Sequence, residues 1–452
     1  MKKKMYRRYS AVRWIVLVVA LAFGACNSSR RPEIGGRDRV GMAPAVAMPS
    51  DSAAVASAIP FLENRVKLDP EDHIAYNKLG GYYLQRLRET GSLTYLELAS
   101  KAANASLAVL PPEHNTDGLT VLAQVEYAEH DFTAARDNAK RLADLDPGKS
   151  YPFHTLGDSL LELGDYQGAA AAFSQMERLN AGFQGLTSVA VDQRLARYAA
   201  LHGDIDQAQR RLTRALNAAL AQTGPSRETI AWCYWQLGEV AFSAGQYEAA
   251  EDYYNRALTT FPDYFRAVAG LGRVRAARGD LAGGIAQYER AVQIVPDPSF
   301  VAALGDLYRI AGREADAAQQ YSLVEQIGHL SKINGVIYNR QLATFFADHD
   351  INTNEAYQNA SREFEARQDI YGADTLAWTA LKAGKLDEAQ LAIKDALKLG
   401  TKDARILFHA GMIARAAGNA SAAKEYLQRA LQINPRFDPL QAPVAAKALE
   451  SL

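Results

Sequence analysis

Eight histidines and two cysteines are the residues that would advertise catalysis or metal binding, and their spacing offers neither. The chain has no His-Glu-x-x-His run to set two imidazoles around zinc, and no Gly-x-Ser-x-Gly elbow to expose a nucleophile. It also has no Gly-x-x-x-x-Gly-Lys loop to cradle phosphates and no paired-cysteine metal motif. No catalytic residue, metal or cofactor is therefore expected. His130-Asp131 and His349-Asp350 both sit where a chain turns between helices, and aspartate there reads as a helix cap. His409, within Phe408-His409-Ala410-Gly411, reads as a hydrogen-bonded helix histidine. Cys233, between Trp232 and Tyr234, reads as a small packed hydrophobe. What remains is the chemistry of recognition. Arginine offers a planar fork matched to carboxylates, and tryptophan an apolar anchor, so the question is which of them share a surface.

The elements that would position them repeat. Leu237-Gly238, Ala250, Ala257 and Pro262 are followed by Leu271-Gly272, Ala291 and Pro296, a unit of about 34 residues. Small residues at Gly238 and Ala250 let two helices approach closely, while Tyr234, Tyr254 and the aliphatic positions between them fill the seam. Gly164-Asp165, Gly203-Asp204, Gly245-Gln246, Gly279-Asp280 and Gly384-Lys385 each place glycine where a helix ends in a left-handed turn. One helix pair cannot bury its own apolar face, so neighbours must cover it and the chain must be a stack.

The pattern Tyr234, Leu237, Gly238, Ala250, Tyr254, Ala257, Pro262 resembles the tetratricopeptide repeat, with Ala241 where that family has a second aromatic residue. The resemblance implies an all-α, right-handed superhelical solenoid. Packing-glycine equivalents fall at Gly80, Ala123, Gly157, Ala196, Gly238, Gly272, Gly305, Ala343, Ala377 and Gly411, which makes about ten repeats. Their spacing ranges from 33 to 43 residues; the longest gaps hold residues 88–94, 182–188 and 222–227, read as loops or lengthened helices. The solenoid is expected over residues 57–438, with 439–452 as a C-terminal capping helix.

In this family the first helix of each pair lines a concave wall. Counting from each packing glycine, that wall would present Arg197, Trp232, Trp235, Arg266, Arg273, Arg309, Arg340, Tyr371, Trp378, Arg405 and Arg415. Seven arginines and no lysine on one wall imply protein or peptide partners, acidic segments or carboxy termini among them. Two alternatives stay open. The arginines could instead pair with Glu239, Asp306 and neighbouring acids while the tryptophans fill helix seams, or the aromatic residues could be stacking platforms for a glycan or another small ligand.

The amino terminus implies a location. Lys2, Lys3, Lys4, Arg7, Arg8 and Arg13 flank the apolar run 14–23, which ends at Gly24-Ala25-Cys26. Residues 1–25 thus read as an export signal. Cysteine after small residues resembles a bacterial lipoprotein signal, which implies acylation of Cys26 and an envelope protein anchored in a membrane; an ordinary signal cleaved near Ala25 is the alternative. Residues 26–56, rich in Ser, Pro, Gly, Arg and Ala, are expected to be a flexible tether. The whole chain is formally −1, and its first 25 residues carry six basic and no acidic side chains, which leaves −7 for the rest. An acidic exported chain argues against nucleic acid as the partner.

Overall fold

The computed structural model describes residues 51–180, 189–222, 224–334 and 339–452. The proposed signal, Cys26 and most of the tether lie outside the described residues, as does the insertion 182–188. Among the described residues every regular element is helical, and the 22 helices follow one another with short connections. Helix α1 (Asp51–Leu68) begins inside the stretch expected to be tether. Ten antiparallel pairs follow, from α2/α3 (His73–Thr90, Thr94–Val109) to α20/α21 (Ala404–Ala416, Ala420–Ile433). Each of the ten packing-glycine equivalents lies in the first helix of its pair. Helix α22 (Gln441–Glu450) covers the last pair. The fold is an all-α superhelical solenoid.

The packing glycines have a specific partner. A Cβ at Gly272 would lie 2.6 Å from the ring of Tyr288, and one at Gly305 2.6 Å from Tyr321. At Gly411 it would lie 2.7 Å from Leu427, while at Gly157 and Gly238 it would overlap the rings of Phe173 and Tyr254. In all five the large residue stands sixteen positions on, in the second helix of the same pair. The glycine is thus the space into which that side chain inserts, and Phe173 and Tyr254 are fully buried there. The turn glycines behave as expected: Gly164, Gly203, Gly245, Gly279 and Gly384 all have positive φ. His130 takes the same left-handed conformation (φ 65°), and Asp131 after it caps the next helix by accepting from the Ala134 amide. His349-Asp350 departs from the cap reading. Asp350 itself is left-handed (φ 56°) and pairs with Lys382, and helix α17 (Thr353–Ala366) starts instead at Asn352.

The solenoid winds tightly enough to pack on itself. The turns within the third, fourth and fifth pairs (at Gly164, Gly203 and Gly245) sit on the loops that follow the eighth, ninth and tenth pairs, nearly 200 residues later. The Ile370 amide donates to the Tyr166 hydroxyl at 2.9 Å, the Tyr247 hydroxyl to Asn434 Oδ1 at 2.6 Å, and Asn434 Nδ2 to the Phe242 carbonyl at 2.7 Å. Apolar packing crosses the same seam, since Phe173 and Met176 share one core cluster with Ile370, Ile406 and Ile413. Two successive gyres are therefore joined by a buried interface, and the first-helix wall becomes the lining of a lumen open to solvent.

Candidate functional site

That lumen is a cavity of about 1970 Å³, and Arg197, Trp232, Trp235, Arg266, Arg273, Arg340, Tyr371 and Arg405 all line it. These eight come from six different first helices, α8 (Val189–Leu201), α10 (Arg227–Ser243), α12 (Phe265–Ala277), α16 (Asn339–Asp348), α18 (Ile370–Lys382) and α20. Helical periodicity turned inward is what brings them together. Three other candidates lie elsewhere. Arg309 and Arg415 are exposed and do not line the cavity. Trp378 is 4% exposed: its Nε1 donates to Asp348 at 2.8 Å and its ring stacks on His409 at 4.3 Å, so it fills a seam. His409 is held in turn by Asp374 at 2.9 Å.

Nine arginines, seven carboxylates and no lysine line the lumen. Most of the arginines are committed to resident acids. Arg273 contacts Glu239 at 2.6 Å and the Tyr254 hydroxyl at 3.1 Å; Arg340 contacts Asp369 at 2.7 Å, and Arg405 contacts Asp438 at 2.6 Å. Glu162, 1% exposed, is shared by Arg197 from its own gyre and Arg367 from the next. Burial alone would raise the Glu162 carboxyl, but the two guanidiniums outweigh it and hold it well below the usual carboxylate range. The opposite holds for Glu228 and Asp348, where burial wins over the neighbouring arginines and raises the carboxyls. About a third of each Arg197 and Arg273 side chain remains accessible although protein surrounds it, as expected for groups facing water inside a lumen.

Arg266 is different. Among the described residues it forms no salt bridge, and its guanidinium lies 4.5 Å from the Phe265 ring centre and 5.7 Å from that of Trp235. Trp232 meets Trp235 edge-on at 6.3 Å, and Phe300 flanks Phe265 at 6.2 Å. The result is an aromatic wall carrying a cation that has no salt-bridge partner among the described residues, with the buried Glu228 carboxyl near enough to feel its charge.

Sequence reasoning missed part of this lining. Arg88, Arg194, Arg436, Phe300 and His349 also face the lumen. They lie at helix ends, off the inner register, or in the C-terminal loop, where an offset counted from the packing glycine has no reach. His349 Nε2 meets Asp306 at 2.7 Å and its Nδ1 meets the Phe345 carbonyl at 2.7 Å, so both ring nitrogens face acceptors. Burial opposes charging the ring, but the Asp306 and Phe345 contacts prevail and raise its pKa above the ordinary 6.5. Among the described residues no group of His, Cys, Asp or Glu could hold a metal ion.

Two family models for the tetratricopeptide repeat match the chain, one over residues 188–263 and the other over 235–299 and 375–436. With ten stacked helix pairs already in view, this decides the family. The chain is a tetratricopeptide repeat protein. An 89-residue stretch is 38% identical to the probable biofilm formation methyltransferase WspC of Pseudomonas aeruginosa, covering 20% of each protein. The chain thus spans about a fifth of that relative's length, and the match does not establish catalysis. Among solved structures, PilW, titled a widely conserved type IV pilus biogenesis factor, is 16% identical over 46% of this chain and 91% of its own (TM-score 0.39). A human IFIT1 dimer with PPP-AAAA is 14% identical over 84% and 86% (TM-score 0.45). Tetratricopeptide repeats usually build non-enzymatic scaffolds for protein interaction, and no helix among the described residues is long and apolar enough to cross a membrane.

Proposed function

We propose that this tetratricopeptide repeat protein is a non-enzymatic scaffold of the bacterial cell envelope, exported and tethered through an acylated Cys26, and that its lumen holds an extended segment of a partner protein. The observation that carries the lumen reading is the aromatic wall around Arg266 inside a cavity of about 1970 Å³. Small-molecule sites usually span about 300–1,000 Å³, so the space suits a peptide stretch better than one compact ligand. Arg266 with Trp232 and Trp235 supplies the residue types that dominate binding energy, while the paired arginines hold the walls in place. An acidic side chain or a carboxy terminus of the partner is the group Arg266 would meet.

A photo-crosslinking residue placed at Phe300, inside the lumen, and in a parallel protein at Gln209, on a second helix, tests this in intact cells. Capture of the same partner from Phe300 and not from Gln209, weakened by Arg266→Ala and by salt, is the expected result. Equal capture from both positions would sink the lumen reading, and quenching of tryptophan fluorescence by polysaccharide that survives Arg266→Ala would favour the glycan alternative. Detection of acyl chains on Cys26 tests the anchor separately.

A further inference from the structure

The wall around Arg266 offers hydrogen-bond donors and few free acceptors. Trp232 and Trp235 both reach the cavity, and neither indole N–H has a partner among the described residues, whereas the Trp378 N–H in the seam donates to Asp348 at 2.8 Å. The carboxylates beside this wall are committed. Glu239 accepts from Arg273 at 2.6 Å and from the Tyr254 hydroxyl at 2.7 Å, Asp297 accepts from the Ser299 amide at 2.8 Å, and Glu228 lies 3.7 Å from Arg88. Gln236 is the one side-chain amide of α10 that lines the cavity, and it can serve either way. The aromatic surface is also notched rather than flat. Trp232 and Trp235 cross at 71° and Phe265 and Phe300 at 56°, which leaves gaps between rings for compact apolar groups instead of one stacking platform.

Such a wall suits a segment that brings carbonyl acceptors and compact apolar rings but few N–H groups of its own. Proline-rich sequence has that chemistry. Proline has no backbone N–H to leave unpaired, and in a polyproline II helix the carbonyls bond to nothing within the chain and are free to accept. That helix is preformed, so little entropy is lost when it docks in an aromatic-lined groove. Resting on the reading of the lumen given above, we propose that the partner segment beside Arg266 is proline-rich and in polyproline II form. Its pyrrolidine rings enter the notches among Trp232, Trp235, Phe265 and Phe300, and its carbonyls accept from the two indoles.

Octaproline, about 25 Å long and capped at both ends so that it carries no charge, tests this when titrated into the purified full chain. Followed by NMR, the indole N–H signals of Trp232 and Trp235 should shift and that of Trp378 should not. An uncharged Gly-Ser peptide of equal length should move none of them. Trp232→Phe/Trp235→Phe keeps aromatic rings in place and removes both donors, so it should weaken octaproline binding roughly tenfold by calorimetry, with an unmoved Trp378 signal marking the intact fold. Octaproline that shifts neither signal at millimolar concentration overturns the proposal, as does a shift matched by the Gly-Ser peptide or an affinity unchanged in the double variant. The two readings fail separately. Silent octaproline with capture from Phe300 intact removes the proline assignment alone, whereas equal capture from Phe300 and Gln209 removes the lumen reading and this inference with it.

Discussion

Glu162→Gln is the sharpest test of the closed seam. The carboxylate is 1% exposed and bridges Arg197 of one gyre to Arg367 of the next, and the glutamine keeps its shape while removing its charge. Breaking a buried ion pair from one side typically costs about 3–5 kcal/mol. Here the lower end applies, because the Arg197 side chain is 36% accessible to lumen water and Arg367 keeps Asp369 at 3.6 Å. About 3 kcal/mol corresponds to roughly two orders of magnitude in a local opening equilibrium. The amide to watch by hydrogen exchange is that of Ile370, which donates across the seam to Tyr166. Its protection should fall about a hundredfold, while amides of α21, which does not touch Glu162, hold theirs. The pH dependence follows from the lowered Glu162 pKa. A depressed carboxyl contributes fully above its unfolded value of about 4.5 and loses that contribution as pH falls through the folded value, so wild type and variant should converge in acid. Unchanged protection at Ile370, or a loss spread evenly over all repeats, would refute the latch.

His349→Gln should lower stability most at mildly acidic pH: a raised histidine pKa contributes fully below 6.5 and loses that contribution as pH rises through the folded value, which an NMR titration of the ring would locate. Gly272→Ala should destabilise by about 1–3 kcal/mol through collision with Tyr288, and Gly272→Ala/Tyr288→Leu should recover part of that loss in denaturant titrations. Cys233 is fully buried and its thiol is pushed up to about 11 by burial, so it should resist a thiol reagent in the native protein and react once denaturant is added; rapid native labelling would contradict its packing.

How much of this was legible in the sequence depends on the range of the contact. The packing positions at Gly157, Gly238, Gly272, Gly305 and Gly411 were readable because each is decided within one repeat: Gly272 meets Tyr288 sixteen residues on, whereas Gly80 meets Val121 of the next pair. Eight of the eleven wall candidates converge on the lumen for the same reason, since the inner face of a helix is fixed by its own period. The seam was not readable. Whether Glu162 meets Arg367 depends on the small rotation at every repeat in between, and the uneven spacing of 33 to 43 residues makes that sum different from a regular stack. In the sequence, Glu162 is an ordinary glutamate near a helix end. Trp378 lies off the lumen for a related reason, because its partner Asp348 lies in the preceding pair and draws the indole into the seam.

Closure also changes how the stack holds together. In an open solenoid each repeat touches only its neighbours, so stability is close to a sum of local terms and the ends fray independently. Here the third pair is bonded to the loop before the ninth through Tyr166 and Ile370, and the fifth to the loop after the tenth through Tyr247 and Asn434. Losing an end pair therefore removes contacts from the middle of the chain. The same bonds fix the width of the lumen, because Arg197 reaches it from a helix whose Glu162 partner is gripped from the opposite gyre. Arginines that look like a binding row in the sequence are thus mostly paired with resident acids around the lumen, whereas Arg266, with no salt bridge among the described residues, stands against aromatic rings.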